Sequence, residues 1–155
     1  MWAGKTRDSR LREMIDEYVE RIRRHVPVEI KEAKEEAASD RHAEAEALQK
    51  EGRRIREMIP SGHAVVLLDE SGRLMTSLDF AAFLDEKLGA SSPSSRGLTF
   101  VVGGHQGVDE ELKRMADCTI SLSRMTLTHE MSRLMVVEQI YRGLGILRGS
   151  PYHRP

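Results

Sequence analysis

Apolar residues recur every three to four positions near the start of the chain, which is the spacing of one face of an α-helix. Between Thr6 and His25 they are Leu11, Met14, Ile15, Tyr18, Val19 and Ile22. A second helix is predicted from Arg41 to Ile59, where Pro60 and Gly62 end it. A third helix opens at Ser77 and runs to about Leu88.

Three continuous apolar runs are typical of strands that are buried on both faces of a sheet. They are His63–Asp69, Leu98–Val102 and Cys118–Leu122. Val26 to Ile30 alternates in polarity and contains Pro27, which predicts a short edge strand. Met1 to Lys5 is interpreted as the end of a strand whose beginning is absent, in preference to a simple coil.

The remaining segments complete an alternation of strands and helices. We expect a loop over Lys31–Asp40, a turn at Ser71-Gly72, a surface loop over Gly89–Gly97, a short helix over Val108–Ala116 and a long helix over Glu130–Leu147. Such an alternation predicts an α/β fold, with a mostly parallel sheet covered by helices on both faces. The chain shows no internal repeat and no linker long enough to divide it, so residues 1–155 are predicted to form a single domain.

Composition predicts a globular protein of the cytoplasm. Hydrophobic residues make up 39% of the chain and charged residues 32%, a balance that excludes a disordered polymer. The longest apolar runs are far too short to span a bilayer, and no secretion signal opens the chain. Cys118 is the single cysteine, which excludes an internal disulfide and a cysteine-based metal cage.

Charge is unevenly distributed along the chain. The net charge is −1, which argues against general binding to nucleic acid. From residue 121 onward, however, five arginines face only Glu130 and Glu138, a local charge of +3. A basic end on a nearly neutral body suits an enzyme that contacts a phosphate backbone in one place. Solvated arginines scattered on a helix explain the same charges equally well.

Polar or glycine-rich segments follow all three apolar strands. Asp69 ends the first, Gly103-Gly-His-Gln-Gly107 follows the second, and Ser121 to His129 follows the third. Ligands of parallel sheets bind at the carboxyl ends of strands, so these segments predict one shared site. Two of the segments have a simpler explanation: a tight turn for the glycines and a turn cap for Asp69. The spacing is not that of a dinucleotide fingerprint, and no zinc-ligand set is present.

The chain ends in Tyr152-His153-Arg154, three chemically capable side chains behind an apolar helix. A C-terminal tail is usually polar and frayed, so this one is a candidate for folding back over a site. His129 and Arg133, four residues apart, lie on one helical face. On residue type alone, His129 is equally a helix-terminal group, and Arg142 is equally an ion-pair partner.

Together these motifs resemble one known family. Its pattern is carried by Phe100-Val-Val-Gly-Gly with Gly107, Ser121-Leu-Ser-Arg-Met-Thr-Leu-Thr-His129, Arg133, Glu138-Gln-Ile-Tyr-Arg142 and Pro151-Tyr-His-Arg154. The chain is similar in these residues to the ribosomal RNA large subunit methyltransferase H family of the SPOUT superfamily. The similarity is dense from about Val65 onward and looser before it. Two positions depart from the family pattern: His105 replaces its usual proline or alanine, and Thr128 replaces its usual proline.

The resemblance implies a fold, a reaction and a set of site residues. It implies a C-terminal trefoil knot, a homodimer, and methylation of N3 of a pseudouridine in 23S rRNA with S-adenosylmethionine, without a metal. The implied cofactor contacts are Leu68, Gly103, Gly104, Ser123, Arg124, Met125, Thr126, Leu127 and Thr128. The implied RNA contacts are His129, Arg133 and Arg142, and the implied catalytic residues are Tyr152, His153 and Arg154.

Two other functions remain as alternatives at this point. One is a non-catalytic factor that binds RNA or the ribosome with the same fold. Such a factor would retain the basic tail but would tolerate damage to the glycine loop and to the strand ends, and here the loop and the strand ends are both intact. The other is a nucleotide-dependent oxidoreductase, which would need a ribose-binding acid and a conventional glycine fingerprint. The chain has neither.

Overall fold

The computed structural model describes residues 1–36, 38, 40–88 and 96–153. Five strands lie within these ranges: β1 (Trp2–Ala3), β2 (Glu32–Ala33), β3 (His63–Leu74), β4 (Gly97–Val102) and β5 (Cys118–Ser121). Five helices alternate with them: α1 (Ser9–Arg23), α2 (Arg41–Met58), α3 (Ser77–Leu88), α4 (Glu110–Met115) and α5 (His129–Leu147). The long helices and the three buried strands lie where the apolar periodicity predicts them.

The five strands form one sheet in the order β2-β1-β4-β3-β5. Every strand pair is parallel, and β3 and β4 are in register from His63 opposite Gly97 to Leu68 opposite Val102. The predicted α/β class with a parallel sheet is therefore confirmed. None of the helices in the described ranges is long and apolar enough to cross a membrane. The predicted loop over 89–97 lies almost wholly outside the described residues.

Helices cover both faces of the sheet because successive strand residues point in opposite directions. Along β3, Val66 and Leu68 face a core that is shared with α1, α3 and α5. Val65 and Leu67 face a second core that is shared with α2 and α4. All four side chains are at most 9% exposed. The uninterrupted apolar run in the sequence therefore reflects burial on two sides.

The predicted edge strand over Val26–Ile30 is wrong, and so is the prediction of an unbroken loop after it. The edge strand is β2, Glu32–Ala33, which pairs with β1. Val26, Val28 and Ile30 pack against the core without entering the ladder. Their alternation thus comes from packing, and Pro27 removes a backbone donor that a strand would use.

The strand β3 pairs with β5 twice. Leu68 is the partner of Ile120, and after a break in register Arg73 is also a partner of Ile120. Between these two pairings, residues 69–72 have no partner on β5. The turn predicted at Ser71-Gly72 is therefore a bulge within a longer strand. The trefoil knot itself stays a prediction.

Gly72 makes this arrangement possible. A Cβ atom built on Gly72 would lie 2.6 Å from the carbonyl carbon of Ile120, closer than real Cβ atoms come to backbone. Any side chain at position 72 would therefore push β3 and β5 apart. The close approach is a steric requirement, because Gly72 is not among the glycines with positive φ.

The first prediction concerns the close contact between Gly72 and the backbone of Ile120. We expect Gly72→Ala to lower the free energy of unfolding by about 2 kcal/mol or more, since its methyl group must displace backbone atoms. Gly145→Ala is the matched control, because its added Cβ would meet nothing closer than 3.6 Å, from Ser150. The control should be neutral or stabilised by up to about 1 kcal/mol, as alanine favours the helix. Urea unfolding at one protein concentration measures both, and equal midpoints would contradict the steric argument.

Candidate cofactor cleft and C-terminal tail

A cleft of about 750 Å³ opens at the carboxyl edge of the sheet. Three neighbouring strands supply its walls: β3 with Leu68 to Glu70, β4 with Val102 and the glycine loop after it, and β5 with Ser121 and the segment after it. The volume lies within the usual range for sites that bind a small molecule or cofactor. The three strand ends expected to share one site therefore do meet.

The glycine loop 103–107 is a compact hydrogen-bonded turn. Gly104 and Gly107 exchange two backbone bonds of 3.1 Å each. Gly107 has a φ of +83°, a left-handed conformation that glycine adopts without strain. A Cβ on Gly103 would lie 2.7 Å from the carbonyl of Gly107. The loop thus requires glycine at both ends and presents its backbone to the cleft.

Helix α2 contacts the residue Asp109, which follows the glycine loop. Asp109, which is 5% exposed, caps α4 by accepting a bond of 2.9 Å from the Leu112 amide. Arg56 of α2 donates to the same carboxylate at 2.5 Å. A Cβ on Gly52 would overlap the Asp109 carboxyl group at 2.3 Å, so the two helices meet closely at a glycine. The end of the glycine loop is therefore fixed by a buried, paired charge.

The segment between β5 and α5 forms the opposite wall and bonds to itself. Ser121 Oγ donates to the Ser123 carbonyl at 2.9 Å, and Ser123 Oγ accepts from the Met125 amide at 3.0 Å. Thr128 caps α5 by accepting from the Met131 amide at 3.3 Å. Met125 lines the cleft with 78% of its surface exposed. An adaptable apolar side chain is thus available to cover a ligand.

Two titratable groups at the cleft, Asp69 and His129, have shifted pKa values. The hydrogen bond from the Ser71 hydroxyl, with that from its amide, holds the pKa of Asp69 below its ordinary value. Burial and the nearby Arg133 charge lower the pKa of His129 below 6.5. At neutral pH the cleft therefore carries an ionised Asp69 and a neutral His129. Within the described residues no group of three potential metal ligands is present.

Most residues predicted to contact the cofactor line this cleft. They are Leu68, Gly103, Gly104, Ser123, Met125, Thr126, Leu127 and Thr128, together with His129 from the predicted RNA set. Arg124 is exposed but does not line it. Sequence reasoning missed Lys113 of α4 and Ser132 of α5, which also line the cleft. Ser132 lies one helical turn after Thr128, a spacing that could have identified it.

Arg133 does not line the cleft, although a role in RNA binding was predicted for it. It is 1% exposed and donates to the Ala3 carbonyl and, at 3.1 Å, to the Thr6 hydroxyl. Its guanidinium lies 5.3 Å from the centre of the Trp2 ring, within range of a cation–π contact. Arg133 therefore ties α5 to the first strand and has almost no surface to offer a phosphate.

Tyr152 of the tail lies in a pocket of polar and aromatic side chains between α1 and α5. Its hydroxyl donates to Glu138 Oε1 at 3.1 Å and lies 3.0 Å from the Tyr18 hydroxyl. Its ring meets the Tyr141 ring edge-on at 4.8 Å between centroids. Burial, the bond with Tyr18 and the Glu138 charge raise the pKa of Tyr152 well above 10. The phenol is therefore neutral at physiological pH.

The structure gives fewer contacts for the remaining residues predicted to act at the substrate, which are Arg142 of α5 and His153 and Arg154 of the tail. Arg142 bonds to Glu138 Oε1 through Nε at 3.0 Å and stacks over the Tyr152 ring at 4.8 Å. His153 is partly buried, and its Nδ1 has no hydrogen-bond partner among the described residues. Arg154 lies outside the described residues. None of the described tail residues, 151–153, lines the cleft.

The parallel sheet, with a cleft walled by three strand ends and a glycine loop, is that of an α/β enzyme that binds a small cofactor. A sequence profile described as "Predicted SPOUT methyltransferase" matches residues 1–153, nearly the whole chain. The chain belongs to the SPOUT methyltransferase family, as its motifs predicted. It is therefore a methyl-transfer enzyme, with S-adenosylmethionine as its methyl donor.

Curated relatives match over almost their entire length. A protein of Geobacter sp. (strain M21) named ribosomal RNA large subunit methyltransferase H is 45% identical over 153 residues, covering 99% of this chain and 96% of the relative. Proteins of the same name from Syntrophotalea carbinolica and Acetivibrio thermocellus are 46% and 40% identical, and cover 89% and 95% of their own lengths. The similarity to the first of these relatives thus extends over nearly the whole chain.

The cleft has the features that S-adenosylmethionine requires. Leu68, Leu122 and Leu127 supply apolar surface for an adenine ring, and the glycine loop allows close approach of backbone groups. A Cβ on Gly103 would close part of this cradle. Asp69, Glu70 and Lys113 place charges of both signs at the wall, suited to an amino acid moiety.

The second prediction tests the role of Arg133. Arg133→Met leaves the Ala3 carbonyl and the Thr6 hydroxyl unpaired, so we expect the free energy of unfolding to fall by about 2 kcal/mol or more. Trp2 is the only tryptophan, and its emission should shift as its environment loosens. Arg53→Met, at an exposed site on α2, is the control and should change neither quantity. A stable Arg133→Met protein with unchanged emission but weakened RNA binding would restore the predicted RNA role.

Proposed function

We propose that this protein transfers a methyl group from S-adenosylmethionine to N3 of a pseudouridine in 23S rRNA, acting on the assembled ribosome in the cytoplasm. The observation that carries the proposal is the cleft itself, in which Leu68, the glycine loop, Ser123 and 125–128 surround one cofactor-sized space. The relatives' printed name supports the large ribosomal subunit as the substrate. The small basic end of the chain suits docking at a surface that the ribosome already shapes.

The residues of the cleft act mainly by orientation. When bound, S-adenosylmethionine supplies an electrophilic methyl group on its sulfonium. The hydrogen bonds within the glycine loop and within the 123–128 segment hold the shape of the two walls against which the cofactor would lie. Holding two reactants in line contributes a large part of the rate of a transfer reaction.

The tail would supply the polar groups at the target base. N3 of a pseudouridine is a poor nucleophile while protonated, so groups that stabilise its anion favour transfer. Arg142 brings a positive charge beside Tyr152, and the local sequence carries further arginines. Tyr152 itself is a neutral hydrogen-bonding group rather than a base, given its raised pKa. We retain His153 and Arg154 as catalytic candidates and His129 and Arg142 as RNA contacts.

A homodimer is part of the proposal. Tyr152 bonds to Glu138, which lies six residues beyond Ser132, the last residue of α5 that lines the cleft, or roughly 9 Å along the helix axis. A tail that is held there does not reach the cleft of its own chain. A second copy would solve this problem by placing its tail over the first copy's cleft, as an isologous pair allows.

The alternative of a non-catalytic RNA-binding factor is not favoured. A factor without chemistry has no need of a cofactor cleft, yet the glycine positions and loop bonds that form the cleft are all present. The enzyme reading accounts for the cleft and the tail together.

The third prediction is the activity itself. We expect the purified protein to transfer a labelled methyl group from S-adenosylmethionine to 23S rRNA in assembled ribosomes lacking the modification. Mass spectrometry of the digested rRNA should locate it on N3 of one pseudouridine. Gly103→Ala, whose methyl group meets Gly107 backbone, should lose cofactor binding by calorimetry and lose transfer.

The control for this assay is Gly149→Ala, a glycine with no atom within 4 Å of its Cβ position but with a positive φ. It tests whether replacing any glycine by alanine abolishes cofactor binding, or whether the loss requires the clash at Gly103. Absence of cofactor binding by the folded wild-type protein would refute the enzymatic proposal. Methylation of another nucleotide would refute only the substrate.

The fourth prediction tests the composite site. A chain truncated after Ser150 keeps its cleft and should bind cofactor, but without Tyr152 it should not transfer methyl groups. Gly103→Ala keeps its tail but loses the cleft. Mixing and re-equilibrating the two inactive proteins should restore activity, because each mixed dimer joins one intact cleft to one intact tail. Failure of the mixture, with mixed dimers demonstrated by mass, would contradict a shared site.

A further inference from the structure

Tyr18 of α1 is linked to the tail across 134 residues of sequence. Its hydroxyl oxygen lies 3.0 Å from that of Tyr152, and the Tyr152 hydroxyl lies 3.1 Å from Glu138 Oε1. The same carboxylate oxygen accepts from Arg142 Nε at 3.0 Å. These contacts form one continuous chain from α1, through the tail, to α5.

The direction of each bond follows from the available protons. The carboxylate of Glu138, paired with Arg142, can only accept, so Tyr152 donates its single hydroxyl proton to Glu138. A hydroxyl whose proton is committed can still accept. Tyr18 must therefore donate to the oxygen of Tyr152, and the phenol of Tyr152 is fixed by one donated and one accepted bond.

The surroundings hold the rings as well as the hydroxyls. The Tyr18 and Tyr141 rings lie 5.9 Å apart, and the Arg21 guanidinium lies over both, at 5.4 and 5.7 Å. The Tyr152 ring packs between Tyr141 and Arg142. Removing one hydroxyl thus leaves the aromatic packing in place, so the hydrogen bond can be tested separately from the packing.

We propose that Tyr18 is a positioning residue for methyl transfer, which holds the Tyr152 phenol, and with it the last turn of the chain, in the orientation used at the target base. This inference rests on the proposed function, since it assumes that the tail takes part in turnover. Tyr18 does not contact cofactor or base. It acts through Tyr152. Because the bond lies within one chain, each subunit orients its own Tyr152 before RNA binds.

The test compares Tyr18→Phe with Tyr141→Phe in the full-length protein. Both remove one hydroxyl from a clustered tyrosine, but within the described part of the chain the Tyr141 hydroxyl makes no hydrogen bond. We expect Tyr18→Phe to reduce kcat for transfer to ribosomal RNA by about tenfold, the loss of one well-placed bond. Cofactor Kd should be unchanged in both variants, and kcat of Tyr141→Phe should stay near wild type.

A spectroscopic arm separates positioning from general damage. The chain has three tyrosines, so ¹³Cζ-tyrosine NMR gives three assignable signals. The Tyr152 signal should shift in Tyr18→Phe, because its oxygen loses a donor, and stay in place in Tyr141→Phe. An unmoved signal would refute the contact, and a moved signal with unchanged kcat would refute the positioning role. Wild-type protein that binds cofactor but methylates no rRNA would overturn the proposed function instead, and the NMR arm would still decide the contact.

Discussion

The double pairing of β3 with β5 is the constraint on which the cleft depends. Because Leu68 and Arg73 both pair with Ile120 of β5, the residues between them leave the ladder, and Asp69 and Glu70 line the cleft. The same pairing fixes the end of β5 beside that of β3, so the following segment forms the facing wall. Gly72 permits the close approach that this requires. The cleft is thus a consequence of strand pairing rather than of loop conformation alone.

A second interaction, between Arg133 of α5 and the first strand, holds together the other side of the molecule near the cleft. Arg133 reaches from the first turns of α5 to the carbonyl of Ala3, and its guanidinium lies over the Trp2 ring. β1 has only two residues and few bonds of its own, so this contact supplies what a short central strand lacks. Together with burial, which is the larger cause, the same charge lowers the pKa of His129 at the cleft. One buried arginine therefore affects both the sheet and the site.

The sequence predicted well those features that depend on local pattern. Continuous apolar runs identified β3, β4 and β5, and the glycines after β4 identified the loop and, with the other motifs, the family. Two-residue strands carry no period, so β2 was missed and Val26–Ile30, which packs without pairing, was mistaken for it. The burial of Arg133 and the bond between Tyr18 and Tyr152 join residues more than 120 positions apart. No local pattern contains such contacts, and only the folded chain brings them together.

The separation between cleft and tail has a consequence for control of the reaction. A subunit whose Tyr152 is bonded to Tyr18 and Glu138 binds its cofactor at one end of α5 and presents its tail from the flank of the same helix. Under the proposed composite site, cofactor alone cannot complete the reacting geometry in one chain. Because Tyr152 is already held by bonds within its own subunit, assembly need not order this side chain, and less ordering entropy opposes the reaction. The rigidity of the Tyr152 contacts would thus limit methyl transfer to the dimer while keeping it fast there.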